Sequence, residues 1–151
     1  LNNSLKKYPP NAPNWLEDVK LFLEEILNCV TSNFMYKSLK NYSEFLFERK
    51  LNVQAIITLQ VAVETYIAEK NGCRDKIGDY EWWQSEGRAL LNKIKSNDWK
   101  NIGKPLTNLE GFRNQIAHGG GTNRDGNFPS AANIPNIYKS SLRGIENLIN
   151  V

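Results

Sequence analysis

The sequence predicts an all-α fold, a bundle of about five to six helices. Apolar residues recur three and four positions apart through most of the chain. No stretch alternates apolar and polar residues over the length of a strand. Capping residues fall at the starts of the periodic segments, and Asn-Gly or glycine clusters follow some of their ends. Residues 1–13 are polar and contain Pro9, Pro10 and Pro13, so they are expected to form an extended lead-in or linker. The rest, 14–151, has the length of one domain with a core of ordinary size.

The first helix is expected to begin at Asn14, with Glu17 three residues on completing a capping box. Trp15, Val19, Phe22, Leu23, Ile26 and Val30 give it an apolar stripe. A second helix is expected over about Phe34 to Arg49, where Leu39, Tyr42, Phe45 and Leu46 recur at compatible intervals; its aromatic residues read as core. The clearest helix opens at Asn52 and runs to Lys70, closed by Asn71-Gly72. Its face carries Val53, Ile56, Ile57, Val63 and Ile67, interrupted by Gln60 and Glu64. Those two either lie at a solvated edge or orient a buried polar group such as Arg113, and periodicity does not choose between them. After a polar loop, Asp79 can cap a helix over about Tyr80 to Lys95 that includes Trp82, Trp83, Leu90, Leu91 and Ile94. One tryptophan of the pair is expected to be buried and the other half-exposed. A connector from about Ser96 to Lys104 leads to a further helix. The last one is expected near Pro135 to Ile149, with a stripe of Ile134, Ile137 or Tyr138, Leu142, Ile145 and Leu148.

Composition narrows the chemistry. A net charge of +3 and a pI near 8.8 permit a nucleic-acid partner without demanding one. Cys29 and Cys73 match neither a metal-ligand nor a redox spacing, and read as two free thiols in a reducing cytoplasm. No apolar run reaches the length of a membrane span, and no segment has the pattern of a secretion signal. The single histidine excludes a His-rich zinc site within one chain, no carboxylate pair suggests magnesium, and Gly119–Gly121 lacks the Lys-Ser/Thr of a phosphate loop. No metal or cofactor is expected.

The stretch Leu106 to Gly121 stands apart. Thr107 and Glu110 have the spacing of a capping box, and Gly119 supplies the position that follows a helix end. At roughly 100° per residue, Leu106, Leu109, Phe112, Ile116 and Ala117 share one arc. Arg113 falls inside this arc, as expected of an arginine aimed at something packed against the helix. The helix is expected to stop at His118. The loop Gly119 to Phe128 that follows carries Arg124, a candidate RNA-phosphate contact.

Arg113-Asn114-Gln115-Ile116-Ala117-His118 resembles the R-x4-6-H motif of HEPN domains, small helical modules found in many ribonucleases of defence systems. Asparagine directly after the arginine and a helix ending at the histidine strengthen the likeness. The run Glu48 to Ala55 and the helix after it are similar to the C-terminal HEPN domain of CRISPR-associated CARF–HEPN ribonucleases. The resemblance implies a HEPN-like bundle that dimerises through the motif helix. It implies a catalytic set of Arg113, Asn114 and His118, shared between two protomers, acting on single-stranded RNA in antiviral defence. It also implies an upstream CARF domain that senses cyclic oligoadenylate. The chain starts at Leu1, which is expected of a segment of a longer protein.

The residues themselves allow such chemistry. Histidine exchanges a proton near neutral pH, and arginine holds a phosphate and stabilises charge developing on it. RNA brings its own nucleophile, the 2′-hydroxyl, so cleavage to a 2′,3′-cyclic phosphate and a 5′-hydroxyl needs no metal. One histidine per chain makes a two-fold dimer the natural way to supply both an acid and a base. Other readings stay open. In the plainest, His118 caps the helix end and Arg113 pairs with Glu110. The module would then be a non-catalytic dimerisation or nucleotide-binding adaptor. A third is a HEPN toxin acting with a separate antitoxin.

Overall fold

Two helices that end in the same way frame the first half of the molecule. α1 spans Asn14–Cys29, α2 Met35–Glu48 and α3 Asn52–Lys70. At the end of α2 the Leu51 amide reaches back to the Leu46 carbonyl (3.0 Å), and at the end of α3 the Cys73 amide reaches the Ala68 carbonyl (2.8 Å). Each closure needs one residue in the left-handed region. Gly72 fills it after α3 with φ 71°, whereas after α2 the residue is Lys50, with φ 62°. The computed structural model describes residues 14–117 and 133–150.

α3 is the central helix because both its inward positions and their flanks are apolar. Ala55, Ile56, Leu59 and Ile67 are wholly shielded from solvent. On one side they meet Phe45 and Leu46 of α2, in a hairpin of two long antiparallel helices. The start of α2 has no cap of its own, since Phe34 precedes it. Glu69 of α3 takes that part, accepting from the Met35 and Tyr36 amides at 3.3 Å each, where a negative charge complements the helix dipole.

α4 spans Arg88–Asn97, α5 Lys104–Ala117 and α6 Ile134–Ile149. Before α4 come a single turn, Tyr80–Trp82, and a wide π-helical segment, Trp83–Gly87. Asp79 caps this run as expected, its Oδ1 accepting from the Trp82 amide at 3.0 Å. These contacts hold its carboxyl below the usual range, the backbone bond to Trp82 contributing most. Trp82 is buried and Trp83 half-buried, the division expected for the pair.

α6 closes the core with Tyr138, Ile145 and Leu148, and three polar contacts fix its position. The Ser43 hydroxyl donates to the Ala55 carbonyl (2.9 Å), so at its 2.9 Å contact with Tyr138 the tyrosine hydroxyl is the donor. Burial pushes that phenol up to about 12. The Tyr66 hydroxyl donates to the Leu148 carbonyl (2.9 Å), and Ser141 to that of Pro105 (3.3 Å). α6 also lies directly on the start of α5. A Cβ at Gly144 would stand 2.8 Å from that of Pro105, so no larger side chain fits without a shift.

Two expectations change. The Thr107–Glu110 capping box does not form, because α5 begins at Lys104 and Thr107 lies inside it. The connector is itself a wide turn, Trp99–Gly103, capped by Asp98, which accepts from the Asn101 amide at 3.1 Å. Pro105 fits the first turn of the helix that follows, where its missing N–H costs nothing. The apolar stripe of α1 is largely solvent-facing: Val19, Phe22 and Leu23 are 44%, 45% and 40% exposed. Among the described residues there is no strand, and no helix is long and apolar enough to cross a membrane. Both cysteines are free.

Candidate functional site

The arc of α5 that the sequence marks as apolar is used up inside the chain. Leu106, Leu109 and Phe112 are buried, at 1%, 0% and 3% exposure, in the same core as α3 and α6. Arg113 shares their side of the helix by angle, yet its side chain is exposed. Among the described residues nothing packs over it. A guanidinium on a long stem runs outward along the rim of its own core. Its Nη1 donates to the Asn114 Oδ1 at 3.2 Å, so the two adjacent residues act as one unit.

That unit lines a cleft of about 590 Å³, within the range of small-ligand sites. α3 gives one wall through Gln60, Glu64 and Thr65. α5 gives the facing wall through Glu110, Arg113 and Asn114, with Ala117 at its end. The run from Lys76 to Arg88 forms the third side, with Trp82 and Trp83.

Gln60 and Glu64 both line this cleft, Gln60 buried and Glu64 half-buried. Gln60 is 4% exposed, and its Nε2 donates to the Glu64 Oε1 at 3.0 Å. Burial raises the Glu64 carboxyl above its usual range. The Gln60 hydrogen bond and the positive charge of Arg113 oppose that rise, Glu110 reinforces it, and Arg88 opposes it more weakly. The sequence offered one signal, two polar residues one turn apart on an otherwise apolar face. It gave no means of knowing that α5 and the Trp82–Trp83 run would converge there. The pairing of Arg113 with Glu110 is not what forms. Glu110 is held instead by Lys95 of α4, 2.5 Å away, whose side chain is only 6% exposed. Arg88 donates to Gln84 at 2.8 Å.

Arg113 and Asn114 thus stand together on the cleft, where Glu64 lies close enough for the Arg113 charge to act on its carboxyl. His118 follows directly after Ala117 and lies outside the described residues, as does Arg124. Among the described residues no three His, Cys, Asp or Glu side chains come together so as to hold a metal ion. The lining brings three cations, Lys76, Arg88 and Arg113, and three carboxylates, Glu64, Asp79 and Glu110, to one cleft beside the indoles of Trp82 and Trp83. Compared with family models, with curated proteins and with solved structures, the chain matches none.

Proposed function

We propose that this chain is a HEPN-type, metal-independent endoribonuclease domain acting on single-stranded RNA. The observation that carries the reading is the Arg113–Asn114 unit on the rim of a ligand-sized cleft, one helical turn before the chain's single histidine. In the reaction the 2′-oxygen bonds to phosphorus as the bond to the 5′-oxygen breaks. A base takes the 2′-hydroxyl proton and an acid delivers one to the leaving oxygen. His118 fills these roles, one from each protomer of a two-fold dimer, while Arg113 neutralises the charge that builds on the phosphate. Asn114 positions the guanidinium through its 3.2 Å contact.

A dimer of this kind needs a free apolar surface near the motif, and the inward arc of α5 is already buried. The stripe of Val53, Ile57 and Val61 on α3 serves instead. These residues are 38%, 40% and 38% exposed, one turn apart, and Val61 also lines the cleft. A second copy covering the stripe stands at the cleft's mouth, where it can contribute its own histidine.

The test is cleavage of a fluorescent single-stranded RNA in saturating chelator. His118→Ala and Arg113→Ala are each expected to slow it by roughly 10²- to 10³-fold with unchanged helical circular dichroism. A 2′-deoxy substitution at the cleaved position is expected to stop it. A requirement for magnesium, or cleavage of the 2′-deoxy substrate, would overturn the mechanism.

A further inference from the structure

A second groove, of about 350 Å³, lies between α6 and the wide turn that precedes α5. Three exposed cations line it, Lys100 from the turn and Lys139 and Arg143 from α6, with Asn136, Ser140 and Asn147 as uncharged polar neighbours. Among the described residues no carboxylate lines it. The acids nearest in the chain are engaged elsewhere. Glu146 pairs with Lys40 at 3.7 Å, and the two Asp98 oxygens accept from the Asn101 side chain at 3.1 and 3.0 Å. Those Asn101 bonds hold the Asp98 carboxyl below its usual range, with the Lys100 charge a smaller contribution. Lys139 and Arg143 form no hydrogen bond or ion pair with the described residues. They stand one turn apart on one face of α6, where like charges repel. The cleft beside Arg113 differs, since three carboxylates there balance three cations. Packing fixes the walls of the groove: Gly144 lies on Pro105, and the Asn147 Nδ2 donates to the Asn101 carbonyl at 3.3 Å.

Such a groove suits an anion that brings several charges at a regular spacing, as a phosphodiester backbone does. Trp99 favours a strand that is unpaired. It precedes Lys100 in the same turn and is 56% exposed, where Trp82 is 8% exposed. Its ring lies against Gly103, at which a Cβ would stand 2.5 Å from the Trp99 Cε3. The indole is therefore held in place while more than half of the residue faces solvent. A fixed, exposed aromatic beside a set of cations binds single strands without reading their sequence, because unpaired bases stack on it. α5 joins this groove to the motif. Pro105 borders the groove in the first turn of the helix, and Arg113 follows eight residues later, about 12 Å along the axis. We infer that the groove is a backbone site for single-stranded RNA, remote from the bond that is cut. Lys100, Lys139 and Arg143 hold its phosphates, and Trp99 stacks on a base. The inference rests on the ribonuclease reading for what becomes of the strand, and not for its binding.

The experiment measures binding of the full chain to a fluorescent, single-stranded 2′-O-methyl RNA, which lacks the nucleophile, by anisotropy over a salt series. Lys139→Ala combined with Arg143→Ala is expected to bind roughly 10- to 30-fold more weakly near 0.1 M salt. Its plot of log affinity against log salt should be flatter by about 1.4, the value for two phosphate contacts on a single strand. Its melting temperature should be at or above that of the parent, because a like-charge pair has gone. Lys93→Ala removes an exposed lysine of α4 outside the groove and should change neither affinity nor slope. Trp99→Ala is expected to weaken binding roughly tenfold, and Trp99→Phe less, since a phenyl ring still stacks. An unchanged salt slope in the double variant, or an equal loss in Lys93→Ala, would overturn the site. So would tighter binding to phosphatidylglycerol vesicles, or to a duplex of the same sequence, than to the single strand. A second arm follows cleavage of the unmodified RNA, where the double variant should act on KM rather than on kcat. A parent that binds through the groove and cleaves no RNA keeps the site and removes the ribonuclease reading. Cleavage with the same KM in the parent and the double variant does the reverse.

Discussion

Glu64 is the residue at which placement and charge conflict most directly. Its carboxyl is raised by burial, so the folded chain holds that proton more tightly than the unfolded chain does. A group of this kind gives stability that is complete below the ordinary carboxyl range and is lost as pH rises through the raised value. Glu64→Gln removes the titration. Its melting temperature relative to the parent is therefore expected to be higher at about pH 7 than at about pH 4, read by calorimetry at both. An equal difference at the two values would show that the carboxyl is not desolvated in the folded state. Arg113 makes a related point. Its angle on the helix was legible in the sequence, but its environment was not. The same angle serves a buried partner or a cleft rim, and only the position of α3 decides between them. His118 and Arg124, the other half of the sequence-derived site, lie outside the described residues.

Among the elements, boundaries were most legible where a cap or a stop signal coincided with the periodicity. α3 spans Asn52–Lys70 and α2 Met35–Glu48, against expectations of 52–70 and 34–49. The start of α5 was misread because Thr107 and Glu110 mimic a cap that Asp98 supplies nine residues before Thr107, through a wide turn that periodicity does not report. The exposed stripe of α1 shows the opposite limit: spacing identifies an apolar face and says nothing about what covers it. Two predictions belong here. Lys50 holds the left-handed position that Gly72 fills after α3. Lys50→Gly should relieve part of a cost of ~1–2 kcal/mol, and the added freedom of the unfolded chain offsets some of that gain. A rise of roughly 1–4 °C in melting temperature is expected; a fall would mean that the turn carries no such strain. Gly144→Ala should destabilise by about 1–3 kcal/mol through its clash with Pro105. Chemical denaturation measures it, and no loss would mean that α6 can move off α5 freely.

For the whole molecule, the all-helical class followed directly from the period of the apolar residues, whereas the cleft did not, since three separate segments meet there. The proposed dimer is tested at this scale. Sedimentation at tens of micromolar should give a dimer for the parent and a monomer for Ile57→Glu. That change puts a charge in the middle of the α3 stripe, on a residue already 40% exposed, so the fold should survive it. RNA cleavage should fall together with dimerisation. A parent that sediments as a strict monomer would remove the composite site.

The contacts of α6 also set an order of events. Tyr66 reaches Leu148, Ser43 meets Tyr138, and Pro105 is covered by Ser141 and Gly144. Each joins an early part of the chain to its last helix, so the core that supports the cleft cannot close until that helix has been made. At about 5–20 residues per second, the stretch from Ala117 to Leu148 takes roughly two to six seconds to synthesise. During that interval a nascent chain already carries the arginine and the histidine but lacks the packing that sets the cleft beside the arginine. On the ribonuclease reading proposed above, a ribosome, itself made largely of RNA, would thus extrude the motif before the cleft beside it could form.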